Sequence, residues 1–282
     1  MKIKVLGVRG STPAPGAEYL RYGGHTSSLA VAHDGGPFTL VIDAGTGIRR
    51  LTALLDGKPY QGAILLGHLH WDHTQGLPFF GGGDNPGSRV TLYGPEQGGG
   101  NDLETVLSWA MSPPHFPIRP GELRGSWRFA GIEPGEHTIE GFGVLALEIP
   151  HKGGRSYGYR VSDGRATLAY LSDHWPTGIG PGPAGLGEYH EAAMRLVAGA
   201  DIVFHDAQYT DEELPARGYF GHSCPGYALG LAEAAGVKRL VLFHHDPWRT
   251  DDEMDAIVAR YRHAAIPVEA GAEGTVVDLV SG

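Results

Sequence analysis

Four residues that can bind metal fall within six positions of one another: His68, His70, Asp72 and His73, in the segment LLGHLHWDHTQG at 65–76. Imidazole nitrogens and a carboxylate oxygen suit Zn²⁺, Mn²⁺ or iron, and the lack of thiolates argues against a structural zinc knuckle. At this composition the pattern HxHxDH is expected about 0.002 times by chance, so it is a specific signal. It follows an apolar stretch, AILL, that ends in Gly67. A loop at a strand end can aim adjacent side chains at one point, which neither a strand nor a helix allows. Two cations need more donors than this loop holds. His151 follows the apolar stretch Gly143–Ile149, Asp173 follows Ala166–Leu171, and His244 and His245 follow Leu240–Phe243. Open α/β sheets gather their sites at that end of the strands.

The elements that must position these residues are short. Apolar runs bounded by Gly, Pro or Asp predict strands at 3–8, 28–32, 38–42, 63–66, 90–93, 143–149, 157–161, 166–171, 201–204, 240–243 and 275–279. The run LVLF at 240–243 is apolar throughout, which suits a sheet covered on both faces. Helical spacing appears at 47–55, 103–111 (after Asp102 as cap), 188–198, 225–235 and 251–264. Pro- and Gly-rich stretches at 81–87, 112–120 and 175–187 read as loops. Many strands with interspersed helices predict an α/β layered sandwich. No repeat or linker divides the chain, so one domain over 1–282 is expected.

Composition narrows the function. The chain has 282 residues with 22 Lys+Arg against 32 Asp+Glu, a net charge of −10. Such a protein lacks the broad basic surface of a general nucleic-acid binder. Cys224 is the only cysteine, so no internal disulfide can form. The opening MKIKVLGVRG reads as a strand and not as a signal peptide, and no run approaches 18 apolar residues. A soluble, cytoplasmic protein without membrane partners is expected.

Together the motifs make a specific resemblance. IDAGTG at 42–47, HLHWDH at 68–73, PHKGGRSYGYR at 150–160 with YLSDH at 170–174, and HDAQYTDEEL, GHS and VLFHHDP between 205 and 247 occur in one order. The chain resembles the metallo-β-lactamase-fold hydrolases, in particular their ribonuclease Z-like phosphodiesterase branch. The resemblance implies an α/β fold, a four-layer αββα sandwich, with two divalent cations at one edge: zinc first, manganese or iron as alternatives. It places His68, His70 and His151 on the first cation and Asp72, His73 and His244 on the second. Asp173 bridges the two, along with a hydroxide that acts as nucleophile. His244, counted from the preceding strand, matches the family pattern better than His245. Asp43 resembles the aspartate that buttresses the histidine loop. The catalytic set implied is Asp72, His222 and Asp206. His222 in GHS resembles the HST-motif histidine that contacts the scissile phosphate and protonates the leaving group. Asp206 in HDAQ matches the acidic position of the HEAT motif, with Asp one methylene shorter than Glu.

The resemblance implies phosphodiester hydrolysis. Ribonuclease Z enzymes carry a long arm between the equivalents of His151 and Asp173, where this chain has only 22 positions, read as strand, turn and strand. With the acidic net charge, this favours a small phosphodiester, such as a cyclic nucleotide, over a large RNA. The rival readings are an acyl hydrolase of the lactonase, thioesterase or β-lactamase type, and an RNA 3′-processing endonuclease. The family also implies a homodimer. Arg155 is a candidate phosphate contact, and His115, Phe116, Trp175, Tyr209, Tyr219, Phe220 and Trp248 are candidates for stacking on a base. His174 and His205 read as supporting residues, and His33, His137, His190 and His263 as surface residues.

Overall fold

A computed structural model of the chain describes residues 1–279. The strands are β1 (Lys2–Gly7), β2 (Ser28–Ala32), β3 (Phe38–Ile42), β4 (Gln61–Leu65), β5 (Arg89–Pro95), β6 (Ser126–Ile132), β7 (Gly135–Ile139), β8 (Phe142–Ile149), β9 (Ser156–Ser162), β10 (Thr167–Leu171), β11 (Ile202–Asp206), β12 (Leu240–Phe243), β13 (Val268–Ala270) and β14 (Val276–Asp278). They form two seven-stranded mixed sheets, ordered β14-β1-β2-β3-β4-β5-β6 and β13-β12-β11-β10-β9-β8-β7.

Period-two alternation explains the layering. Along β3 and β4, Leu40, Ile42, Ala63 and Leu65 enter the core between the sheets, while Val41 and Ile64 face outward under helix Arg49–Leu54. Along β10 and β12, Leu168, Tyr170, Val241 and Phe243 point into the same central core. Ala169, Leu171, Leu240 and Leu242 lie under helices Glu191–Val197, Pro225–Ala234 and Asp251–Arg260. The result is a four-layer αββα sandwich. A strand buried on both faces has no polar side to show, which is why LVLF reads as apolar throughout.

Local signals set several boundaries. Asp102 Oδ1 accepts from the Thr105 N–H (2.8 Å) and starts helix Leu103–Ser108. Thr250 and Glu253 form a reciprocal capping box at helix Asp251–Arg260. Strands β6, β7 and β13 were not expected. The β7 segment GEHTI is an edge strand with only Ile139 buried, so it carries little apolar signal. No helix among the described residues is long and apolar enough to cross a membrane.

The parallel runs β3–β4–β5 and β10–β11–β12 end at one edge of the sandwich. Strand β8 runs in the same direction as β10, since both are antiparallel to β9. The residues that follow β3, β4, β8, β10 and β12 therefore meet at that edge.

Candidate metal centre

Three donor groups meet at this edge; Asp206, His222 and His244 make one, and the other two share Asp173. The first of these two sets holds His68, His70, His151 and Asp173, and the second Asp72, His73, Asp173 and His244; within each set the donor atoms all lie within 4.8 Å of one another. In the first, His151 Nε2 is 3.3 Å from His70 Nδ1, and Asp173 Oδ1 is 3.6 Å from both His68 Nε2 and His151 Nε2. In the second, Asp173 Oδ2 is 2.8 Å from His73 Nε2 and 3.1 Å from His244 Nε2. Asp72 Oδ2 lies 3.2 Å from His73 Nε2 and 3.1 Å from His244 Nε2. The Asp173 carboxylate thus gives one oxygen to each set.

The donors fit divalent cations. Metal bonds of about 2.0–2.1 Å in a tetrahedron put donor atoms roughly 3.3 Å apart, close to the separations seen. His73 Nδ1 donates to Asp43 Oδ2 (2.7 Å) and His151 Nδ1 to the Gly221 carbonyl (2.7 Å). In the neutral rings this turns both Nε2 lone pairs into the centre. His68 Nε2 is buried without a hydrogen-bond partner. A cation between these atoms would satisfy groups that otherwise face one another unpaired.

Electrostatics differ between the sets. Burial, set against the Asp173 carboxylate, leaves His68 well below the usual histidine value and His151 at about 4. Burial also works against charge on His73, but Asp173, Asp72 and Asp43 outweigh it and hold His73 well above the usual range. His244 is raised in the same way, chiefly by Asp173. Burial opposes ionisation of Asp72 and Asp173 too, yet the neighbouring histidines bring both well below the usual carboxylate range.

Asp43 anchors the loop from behind. Its Oδ1 accepts from the Gly67 N–H (2.7 Å), and its Oδ2 from the Tyr170 hydroxyl (2.6 Å) as well as from His73. Asp43, Asp173 and His244 all adopt positive φ, at 60°, 56° and 57°. Such a backbone costs on the order of 1–3 kcal/mol per residue and persists only where the surroundings enforce it.

His222 stands against the first set, its Nδ1 3.8 Å from Asp173 Oδ1 and bonded to Asp206 Oδ2 at 2.9 Å. The shorter Asp206 therefore still reaches His222. His245 turns away and donates from Nε2 to the Gly271 carbonyl (2.9 Å), which leaves His244 alone in the donor set.

Two adjoining cavities of about 400 and 340 Å³ open onto the donors and share Ser11, His70 and His222. Tyr209, Phe220 and Trp248 line the second, but His115, Phe116, Trp175 and Tyr219 line neither. Arg155 is also displaced from its expected role: it pairs with Glu148 (2.9 Å) and donates to the Glu96 carbonyl (3.1 Å). Sequence reasoning missed Ser11, Trp71, Gln208 and Arg217, all cavity-lining. Ser11 and Arg217 lie in no recognisable pattern, whereas Trp71, inside HLHWDH and 73 % exposed, and Gln208, which closes HDAQ, could have been found by their positions in those motifs. His190 is not a surface residue either. It is half-buried, with Nε2 2.8 Å from His174 Nε2.

Comparison with known proteins gives the superfamily and confirms the fold. Residues 39–245 match the beta-lactamase superfamily domain, so the chain belongs to that superfamily. Within it the chain is similar to proteins named ribonuclease Z and to a diphosphatase. A ribonuclease Z of Lacticaseibacillus casei is 27% identical over 281 residues, covering 86% of this chain and 84% of that protein. Among solved structures, a diphosphatase of the PhnP family superposes with a TM-score of 0.70 at 21% identity, covering 99% of this chain and 98% of that one. The short form of human tRNase Z superposes at 0.67 and 20% identity, with 99% and 100% covered. At these identities the two structures establish the shared fold.

Proposed function

We propose that the protein is a phosphodiesterase for a small phosphodiester. His68, His70, His151 and Asp173 would hold one divalent cation, and Asp72, His73, Asp173 and His244 a second. The observation that carries this reading is the Asp173 carboxylate, with one oxygen turned to each donor set. Two bound cations would acidify a water to a nucleophile and neutralise charge gathering on phosphoryl oxygens.

The chain's own residues account for the rest. Asp206 fixes the His222 ring through Nδ1, so Nε2 is turned away from that carboxylate and is free to give a proton to the departing alkoxide. Arg217 is the one arginine or lysine among the described residues that line the two cavities. Its guanidinium lies over the Tyr209 ring (4.3 Å) and is held by Asp246 (2.9 Å), in place to meet an anionic substrate. A neutral lactone would have no use for that charge. Phe220 and Trp248 give the same cavity an apolar rim suited to a planar group.

The named relatives favour a second reading, RNA 3′ processing. Against it stands the β9–β10 hairpin, which with its tight turn at 163–166 takes up most of the interval between His151 and Asp173. The deciding assay measures hydrolysis of bis(p-nitrophenyl) phosphate, of cyclic nucleotides, of a 3′-extended tRNA and of a lactone by Zn²⁺- or Mn²⁺-loaded protein. The proposal expects turnover of the small diesters that stops on chelation and in His68→Ala, and a higher KM in Arg217→Ala. Cleavage of the tRNA alone would establish the second reading, and turnover only of lactones would overturn both.

A further inference from the structure

We infer that Gln208 is a positioning residue for the second cation: its side-chain carbonyl takes the Nδ1 hydrogen of His244 when His244 Nε2 is a ligand, and its amide supports Asp72 through Ser11. This rests on the two-cation reading above.

Two orphaned atoms raise the inference. His244 Nδ1 and Gln208 Oε1 are both buried without a hydrogen-bond partner, in residues 0% and 4% exposed. They border the same space. A Cβ added to Gly10 would collide with His244 Nδ1 and lie 2.7 Å from Gln208 Oε1. Glycine at position 10 leaves the way between them open.

The chemistry of the pair is complementary. A histidine that ligates through Nε2 carries its hydrogen on Nδ1, and a buried donor needs an acceptor. His73 and His151 already have theirs, in Asp43 and the Gly221 carbonyl. For His244 the amide oxygen of Gln208 fills that role. The orientation of the amide is fixed from its other side, where Nε2 donates to Ser11 Oγ (3.2 Å) and faces the Tyr209 hydroxyl (3.4 Å). The Ser11 N–H in turn donates to Asp72 Oδ2 (2.7 Å). Gln208 therefore reaches two ligands of one cation, His244 and Asp72, and none that belongs to the first set alone.

The test needs no substrate. Zn²⁺ binding to metal-stripped wild type, Gln208→Leu and Gln208→Glu is followed by competition with a chromophoric chelator. Urea midpoints of the stripped proteins are measured in parallel. Wild type is expected to bind two ions. Gln208→Leu should keep the first affinity and lose roughly 10- to 100-fold at the second, the usual effect of removing a ligand's outer partner. Gln208→Glu, which keeps an acceptor oxygen, should recover part of that loss. Equal second-site affinity in wild type and Gln208→Leu would overturn the inference and leave the two-cation reading standing. So would an equal loss at both sites with a lowered urea midpoint, since that marks a general folding role. A wild type that binds fewer than two ions would overturn the reading and the inference together.

Discussion

His73 and His244 bring Nε2 atoms within 3.3 Å of each other between the carboxylates of Asp72 and Asp173. A second histidine group stands just behind the site and is built the other way. His205 Nδ1 donates to the Asp206 carbonyl (2.8 Å), so its Nε2 accepts from His174 Nδ1 (3.0 Å). His174 Nε2 then accepts from His190 Nε2 (2.8 Å). Each link uses one hydrogen and one lone pair, and among the described residues no carboxylate oxygen is hydrogen-bonded to these three rings. The first group is left with unpaired donors around a point, which a cation can satisfy. The second satisfies itself. The count of histidines is therefore no guide to metal binding; what matters is whether their hydrogens and lone pairs are already matched.

The contrast can be broken by substitution. Asp173→Asn removes the charge shared by both donor sets. Phosphodiester turnover should fall by more than roughly 100-fold, the upper end seen for losing an outer partner, and bound metal should fall with it. Elemental analysis beside the assay checks this, and full metal content in the variant would refute the bridging role. His174→Leu should act oppositely. It leaves His205 and His190 without their partner, so unfolding in urea should come about 1–3 kcal/mol more easily. Two bound cations should remain, and loss of metal there would erase the distinction between the groups.

Proton behaviour sharpens the comparison with a smaller effect. Burial lowers His174, His205 and His190, the last to about 4. As pH falls below the ordinary value of about 6.5, the unfolded chain takes up protons that the folded one refuses. The stability that His190 contributes is thus lost between about 6.5 and 4, and that of His174 and His205 falls in the same direction as pH drops below about 6.5. His73 and His244 are raised, so the stripped protein keeps their protons. Their contribution is present below about 6.5 and lost as pH rises through the raised values. A cation must displace those protons, so its affinity should rise with pH. Calorimetry of Zn²⁺ binding in buffers of different ionisation enthalpy would count the protons released, and a count of zero near neutral pH would remove this difference.

Much of the architecture is legible in the residues. Strands β2 and β3 lie where apolar runs and their breakers put them, and Asp102 and the acidic start of Asp251–Arg260 mark two helix beginnings. Expected helices run too long where Gly or Pro lies ahead: 103–111 stops at Ser108, before SPP, and 188–198 stops at Val197, before Gly199. His190 looks like a surface residue because its partner is 16 positions away, in the loop after another strand. Arg155 looks like a phosphate contact until Glu148, opposite it near the β8–β9 pairing, claims it.

By itself the sequence determined the donors. HLHWDH, placed after an apolar strand, sets residue types and a local path that hold wherever the strand packs. It also marked each strand end at which a further donor would stand. Tertiary structure alone decided how those donors meet. His244 lies 172 positions from Asp72 yet 3.1 Å away. That distance depends on strand register, on the spacing of two sheets and on positive φ angles at Asp43, Asp173 and His244. No stretch of chain encodes such terms locally, because their cost is met only by the packing of the whole edge. The same holds for the choice of His244 over His245, for Arg217 at the cavity and for Gln208 behind the ligands: each follows from which atoms are left without a partner once the two sheets close.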